Sequence, residues 1–288
     1  MQPNDLSRPA GREIIDMAGR QTTIPAKIKT IYSASYYGFT ALCSIAPEML
    51  PGLLQPLSDM SLKFLPSCLA GLPVIGMLPD TAGLERARPD LVVVWAETAK
   101  PFHKKSEDAL NALNIPFVYV TMGDLANLPD YPDAYDFLGR LLNMSERTDT
   151  LASYCRQTLS EVETLVSMVP VKDRPRVYYA EGPEGLATEY DDSLHAHLLK
   201  LAGDVNVFRG KTTTHAGMEK VTIEQVAAAD PDVIIALDRA FVANVGKDPA
   251  WKKVRAVREQ RVLVIPSLPC NWFDRPPCFM RFIGLKWR

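Results

Sequence analysis

Residues 133–169 contain no proline, while Pro132 and Pro170 bound them. Proline lacks an N–H donor and clashes with the preceding helical turn, so a long proline-free stretch is where a long helix has room to form. Leu151, Cys155, Leu159, Val162, Val166 and Val169 recur at steps of three and four, placing apolar side chains on one helical face. The spacing predicts one helix over 146–168 with Ser145 as its N-cap, preceded by a shorter helix capped by Asp133 and ending near Asn143. About 23 residues at 1.5 Å each extend about 35 Å, the width of a domain. Such a rod serves as a coiled-coil arm, a core helix or a brace between two lobes. The repeat stops at Pro170, which ranks the coiled coil last.

The rest of the chain reads as β/α alternation on either side of that rod. Before it come a polar hairpin over 13–25 turning at Gly19, a strand at 28–33, a loop at 33–38 and a helix from Thr40. A brief strand at 73–76, a helical turn at 84–87, a buried strand at 91–95, a helix at 106–113 and a strand at 117–120 follow. After it come a strand at 176–180, helices at 193–202 and 224–229, a strand at 233–237, a helical segment at 249–257 and a last strand at 261–265. Continuous apolar runs such as Leu91-Val-Val-Val-Trp95 suit a parallel sheet covered on both faces. The expected fold class is α/β: two Rossmann-like β/α lobes joined by one long rigid helix. Its expected parts are an N-terminal lobe (1–132), a helical brace (133–170) and a C-terminal lobe (171–288).

The lobes echo each other. In each, a Glu-led helix (Glu85, Glu224) runs into Pro-Asp (Pro89-Asp90, Pro231-Asp232) and then a buried strand, the proline stopping the helix. Two such lobes on one stiff helix are expected to leave a ligand cleft between them, fed by loops at the carboxyl ends of the strands. Those loops carry Tyr36, Tyr37, Trp95, Trp272 and Phe273, with Arg275 and His215 among them. Aromatics beside a fixed cation suit a bulky or anionic small ligand.

Other chemistry finds less support. Net charge is −2 without long blocks of one sign, which gives nucleic acid no electrostatic hold. Lys252, Lys253, Arg255 and Arg258 read as a solvated helix face. No Gly-x-Ser-x-Gly elbow, phosphate loop or His-Glu-x-x-His motif is present. His195 and His197, two apart on a helix, point to different faces, and His103 reads as exposed. Five cysteines without CxxC spacing argue against a zinc site and leave Cys43–Cys68 or Cys270–Cys278 pairing open. The start, Met-Gln-Pro-Asn-Asp, has no signal-peptide pattern, so the sequence reads as cytosolic or as beginning after a leader.

The Val221-Thr-Ile-Glu-Gln-Val segment, Pro231-Asp-Val-Ile-Ile, Leu84-Glu with Pro89-Asp-Leu-Val-Val-Val-Trp95, and Asn271-Trp-Phe-Asp-Arg275 resemble the class III (cluster A, helical-backbone) substrate-binding proteins of ABC importers. The resemblance spans about residues 12–284. It implies an extracytoplasmic solute-binding protein, not an enzyme, with no intrinsic cofactor. Such a protein hands a metal chelate of iron–siderophore, haem or corrinoid type to a permease and its ATPase. A molybdate or tungstate binder is the alternative, and a two-lobed metal-cofactor enzyme a more distant one. In cobalamin-binding members similar tryptophans and an arginine line the pocket, which by match implies Trp95, Trp272 and Arg275, with Tyr36, Tyr37 and His215 beside them. Haem would need an axial ligand from His215 or Tyr36, and His215 is the one metal-ligand candidate. Glu85 and Glu224 match the glutamates that dock on the transporter. A monomer, periplasmic or lipid-anchored, is expected. Residues 201–203 lack the first cysteine of the cobalamin binders' disulfide, pointing to another ligand, and the end at Arg288 suggests a shortened C-terminal helix.

Overall fold

The computed structural model describes residues 11–96, 104–121, 127–213 and 217–287. They fall into two units, Met1–Cys155 and Arg156–Arg288, so the chain passes from one to the other inside its longest helix.

The first unit opens with an antiparallel hairpin, β1 (Gly11–Ile15) and β2 (Gln21–Pro25), closed by an Ile15–Gln21 pair. Buried Asp16 organises the turn: one carboxylate oxygen accepts from the Ala18 and Arg20 amides, the other from the Tyr119 amide at 3.0 Å. That last bond ties the hairpin to the sheet. There follow β3 (Ile31–Ser33), α1 (Tyr36–Ile45), α2 (Asp59–Leu62), α3 (Ala82–Ala87), β4 (Leu91–Ala96), α4 (Lys104–Ala112) and β5 (Phe117–Thr121). The three strands form a parallel sheet in the order β3-β4-β5, and Leu91 through Trp95 are all buried.

Three sequence expectations shift here. The helix expected from Thr40 begins at Tyr36, because the Ser35 hydroxyl accepts the Gly38 amide as an N-cap. Tyr36 and Tyr37 are therefore first-turn residues of α1, not loop residues. The strand expected at 73–76 is reduced to one bridge between Leu53 and Val74. The helix expected to start at Asp133 is α5 (Tyr131–Leu142), with Pro132 inside its first turn, where a missing N–H breaks no helical bond.

The rod is α6 (Ser145–Ser167). Its buried line runs through Thr148, Ala152, Cys155 and Thr158, while Leu165 and Met168 at its far end are mostly exposed.

The second unit contains β6 (Arg176–Ala180), β7 (Ala187–Thr188), α7 (His197–Leu201), β8 (Val205–Asn206), β9 (Glu219–Lys220), α8 (Ile223–Ala229), β10 (Val233–Ala236), α9 (Arg239–Val245), α10 (Arg255–Arg258), β11 (Val262–Val264) and α11 (Arg281–Trp287). Four strands make a parallel sheet ordered β11-β10-β6-β8; β7 and β9 form a small antiparallel pair. Tyr178, Ile234, Ala236, Phe241, Trp251 and Val254 fill one face of the sheet, with the Phe241 and Trp251 rings edge-on at 4.8 Å. The helix expected over 193–202 is split into a 3₁₀ turn, Leu194–Ala196, and α7. The segment at 249–257 is broken at Val254, whose backbone is extended.

The repeated Pro-Asp layout has the same physical role twice. Helix α3 ends on Arg88 and α8 on Asp230, both left-handed (φ 44° and 39°). Proline then follows, and the aspartate pins the start of the neighbouring strand. The Asp90 carboxylate accepts the Lys29 and Thr30 amides at 2.7 and 2.9 Å ahead of β3, and that of Asp232 accepts the Arg176 amide at 2.8 Å at the head of β6.

Cys68 and Cys270 are free thiols, so neither pairing left open by the sequence is formed. Among the described residues no helix is long and apolar enough to cross a membrane.

Candidate functional site

At the carboxyl end of the first unit's sheet, Gly38 makes room for a tryptophan. A Cβ on Gly38 would lie 1.7 Å from Trp95 Nε1 and 2.0 Å from Ser33 Oγ, so these three residues are packed as closely as glycine allows. Tyr36 and Tyr37 are half-buried beside Gly38 in the chain, and the Tyr36 hydroxyl donates to Gln55 Oε1 at 2.5 Å. This end therefore carries the aromatic residues Tyr36, Tyr37 and Trp95, of which Trp95 is buried.

The second unit differs. The loop after β11 is shaped by Asn271, whose side-chain oxygen accepts the amides of Phe273 (2.8 Å), Asp274 (3.0 Å) and Arg275 (3.4 Å). Half-buried Trp272 donates its indole N–H to the Leu268 carbonyl at 2.9 Å. Arg275, whose side chain is 21 % exposed, donates from Nε to Glu181 Oε1 at 2.7 Å and from Nη2 to Glu189 Oε1. Asp274 accepts the Tyr179 hydroxyl at 2.6 Å and lies 2.9 Å from His195 Nδ1. Glu189 accepts in addition the Ser193 hydroxyl at 2.6 Å and the Met218 amide at 2.8 Å. Glu181, Glu189 and Asp274 are all fully buried.

Burial governs this electrostatics. It pushes the Glu181 carboxyl up to about 8, against the downward pull of Arg275; the Asp274 charge and a hydrogen bond with Glu189 push the same way as burial. The Tyr179 phenol is held well above its ordinary value by burial and by Asp274, so it remains a donor.

Sequence reasoning placed Trp272 and Arg275 on this loop but missed Glu181, Glu189, Asp274, His195 and Tyr179. The signal available was an acid directly after the buried Val-Tyr-Tyr-Ala strand, since charged residues are almost never fully buried unless paired. His215 and His103 lie outside the described residues. Glu85 and Glu224 are both exposed, in the first turns of α3 and α8. Arg255, read as part of a solvated basic face, instead pairs with Asp232 and, at 3.5 Å, with Asp230. Among the described residues no group of three or more His, Cys, Asp or Glu is arranged to hold a metal ion. A cavity of about 600 Å³ is lined by apolar residues such as Val162, Leu165, Val166, Ile235 and Leu263 and also by Glu161, Arg174, Asp204 and Lys286, and includes none of the charged cluster around Arg275.

Two parallel-stranded α/β units sharing one long helix, with aromatic and charged residues after the strands, define a class of solute-binding proteins. The model of the periplasmic binding protein family matches residues 76–269. An ABC transporter solute binding protein from Sulfurospirillum deleyianum superposes with TM-score 0.86 at 31% identity, over 96% of this chain and 87% of that one. The molybdate periplasmic binding protein MolA of Haemophilus influenzae shares the fold at TM-score 0.73 and 20% identity, over 96% and 89%. So does a protein of an ABC-type Fe3+-hydroxamate transport system from Saccharomonospora viridis, at TM-score 0.61 and 20% identity, over 96% and 97%. No curated protein sequence matches the chain. The chain belongs to the periplasmic binding protein family, as a class III solute-binding protein of ABC transporter type.

Proposed function

We propose that the protein captures a metal chelate of iron–siderophore, haem or corrinoid type and delivers it to the permease of an ABC importer. The observation that carries this is Arg275: a guanidinium held by two buried carboxylates, partly exposed, on the same loop as half-buried Trp272. An anionic chelate offers the carboxylates or catecholates that such a fork recognises, and the aromatic groups offer apolar faces to its bulk. Tyr36, Tyr37 and Trp95 are the aromatic residues at the corresponding strand ends of the first unit. His215 remains the candidate axial ligand should the chelate be haem. An oxyanion is the second reading, favoured by the same forked donors; molybdate is the ligand of the MolA relative. The ligand is cargo, and the protein needs no resident cofactor. A periplasmic or lipid-anchored monomer suits this role.

Tryptophan fluorescence tests the site. Titration with ferric siderophores, haem, cobalamin and molybdate should quench emission for the true ligand, and Trp272→Phe should shrink the response while Arg275→Gln weakens affinity at least tenfold. A bound ligand whose signal and affinity ignore both changes removes the site. Docking is tested separately. The Glu85→Ala/Glu224→Ala double variant should bind its ligand and melt normally yet support no uptake by cells, because two interfacial charge pairs are lost. Uptake at the wild-type rate removes the docking role.

A further inference from the structure

Among the described residues, the charges around Arg275 do not balance. The groups that face one another are Tyr179 on β6 and Glu181 just after it, Glu189 after β7, His195 on the turn before α7, and Asp274 and Arg275 on the loop after β11. Even with the imidazole counted as a cation, among the described residues three buried carboxylates oppose two positive groups. The arrangement of donors shows where the imbalance sits. Both oxygens of Glu189 and one of Asp274 accept hydrogen bonds; the other Asp274 oxygen lies 2.9 Å from His195 Nδ1 without a hydrogen bond, its charge facing the imidazole. Glu181 has Arg275 on Oε1, but its Oε2 is sealed from solvent with no donor among the described residues. A bare carboxylate oxygen in such a place is strongly disfavoured unless the group is neutralised. A proton on Glu181 removes the charge, and Glu189 is within hydrogen-bonding reach to accept from it.

We propose that Glu181 and Glu189 share one proton as a carboxylic acid–carboxylate pair, and that this proton is a co-ligand, taken up when an anionic solute engages the Arg275 guanidinium. The inference rests on the reading of Arg275 as an anion-binding residue. As the guanidinium turns to the solute, Glu181 loses its cationic partner while remaining buried, so its hold on a proton rises. The proton comes from water and ends on a glutamate oxygen; no other bond changes. Glu181 and Glu189 thereby act as positioning residues: they aim Arg275, and their protonation sets whether it is available. Burial has already moved Glu181 to about 8 in the ligand-free protein, which places the coupling on the alkaline side. Above that pH the bound form holds about one proton more than the free form, and affinity for an anion should fall about tenfold per pH unit.

Two measurements decide it, on the whole protein. Carbon-13 carboxyl NMR of the ligand-free protein should show a glutamate titrating near pH 8 that is absent in Glu181→Gln; a wild-type spectrum without it overturns the shared proton. Calorimetry with molybdate and with an anionic ferric tris-catecholate, from pH 6 to 9.5 in buffers of different ionisation heat, should show about one proton taken up per solute above pH 8. The affinity profile should be flat in Glu181→Gln. Wild-type affinity that ignores pH, or a Glu181→Gln profile that falls like wild type, overturns the coupling while leaving the anion reading intact. If the titration is present and neither anion binds, the anion reading of Arg275 fails, and the co-ligand role falls with it. Near-UV circular dichroism checks that the variant keeps its packing.

Discussion

The two units solve the same structural problem with the same parts and then diverge where the ligand chemistry begins. Each starts a parallel strand with a Pro-Asp whose carboxylate accepts amides at the start of the neighbouring strand, and each has a glycine under close approach: Gly38 under the Trp95 indole, and Gly284 under the backbone carbonyl of Trp272. Beyond that, the first unit's strand ends carry Tyr36, Tyr37, Ser33 and Trp95, all neutral, while the second buries three carboxylates around one arginine. The scaffold is set by backbone needs that do not vary between units, whereas the side chains past the strand ends are under no such constraint. A parallel sheet needs its strands started and its crossover helices stopped; the residues beyond the strand ends are free to serve a ligand.

The largest expected effect tests the shared part. Gly38→Ala would put a methyl 1.7 Å from the Trp95 indole nitrogen, and Gly284→Ala would put one 1.9 Å from the Trp272 carbonyl. Alanine has the higher helix propensity, by about 1 kcal/mol, but overlaps of this depth force shifts that cost about 3 kcal/mol. Both variants should lose stability in chemical denaturation. If either tolerates alanine, the close approach to a glycine is not common to the two units.

The next effect separates the units. A carboxyl raised by burial takes up a proton on folding, so its contribution is intact below its unfolded value of 4.5 and is lost as pH rises toward about 8. Wild-type stability should therefore fall across that window with a limiting slope of about 1.4 kcal/mol per pH unit. Glu181→Gln should flatten the slope and be the more stable protein at pH 9. Equal slopes would mean that the buried charge of the second unit is balanced by groups other than those described.

Asp90 and Asp232 return to what is common. Replacing either by alanine removes charge-assisted bonds to the amides of Lys29 and Thr30 or of Arg176, a loss of about 1 kcal/mol because water can reach most of them. The two values should agree to within about 1 kcal/mol, a margin set by Arg255, which pairs with Asp232. A cost confined to one unit would make the repeat a coincidence of sequence.

These predictions follow the line between what the sequence discloses and what it does not. The long helix, the hairpin and both five-residue strands of apolar composition were legible, because period and proline placement act locally. The Pro-Asp repeat was legible as a pattern, and its meaning, amides collected across strands, needed coordinates. β7, β8 and β9 have two residues each, too few to show any period. The start of α1 was misplaced because Tyr-Tyr-Gly looks like a turn, and the reason for that glycine lies in Trp95, which is remote in the chain. The aromatic residues and Arg275 could be picked out singly. That Arg275 is gripped by Glu181 and Glu189 is a long-range fact, spanning 94 and 86 positions, which no spacing rule reaches.

The smallest effect concerns the two helices that bear the exposed glutamates. Thr222 caps α8 in full: its hydroxyl accepts the Gln225 amide, and the Gln225 side chain accepts the Thr222 amide at 2.8 Å. Thr81, at the same place before α3, makes no side-chain cap bond, and its backbone is helical where Thr222 is extended. An N-cap contributes only when its oxygen can turn onto the amides of the first turn, which the extended backbone permits. Thr222→Ala should therefore cost about 1 kcal/mol, while Thr81→Ala should leave the denaturation midpoint where it was. If Thr81→Ala proves as costly as Thr222→Ala, the two helices are capped alike in solution. Glu85 and Glu224 would then stand on equally firm first turns, and the uptake lost on removing either one alone should be the same. If the difference holds, Glu224 stands on the better-ordered turn, and its single substitution should impair uptake more than that of Glu85.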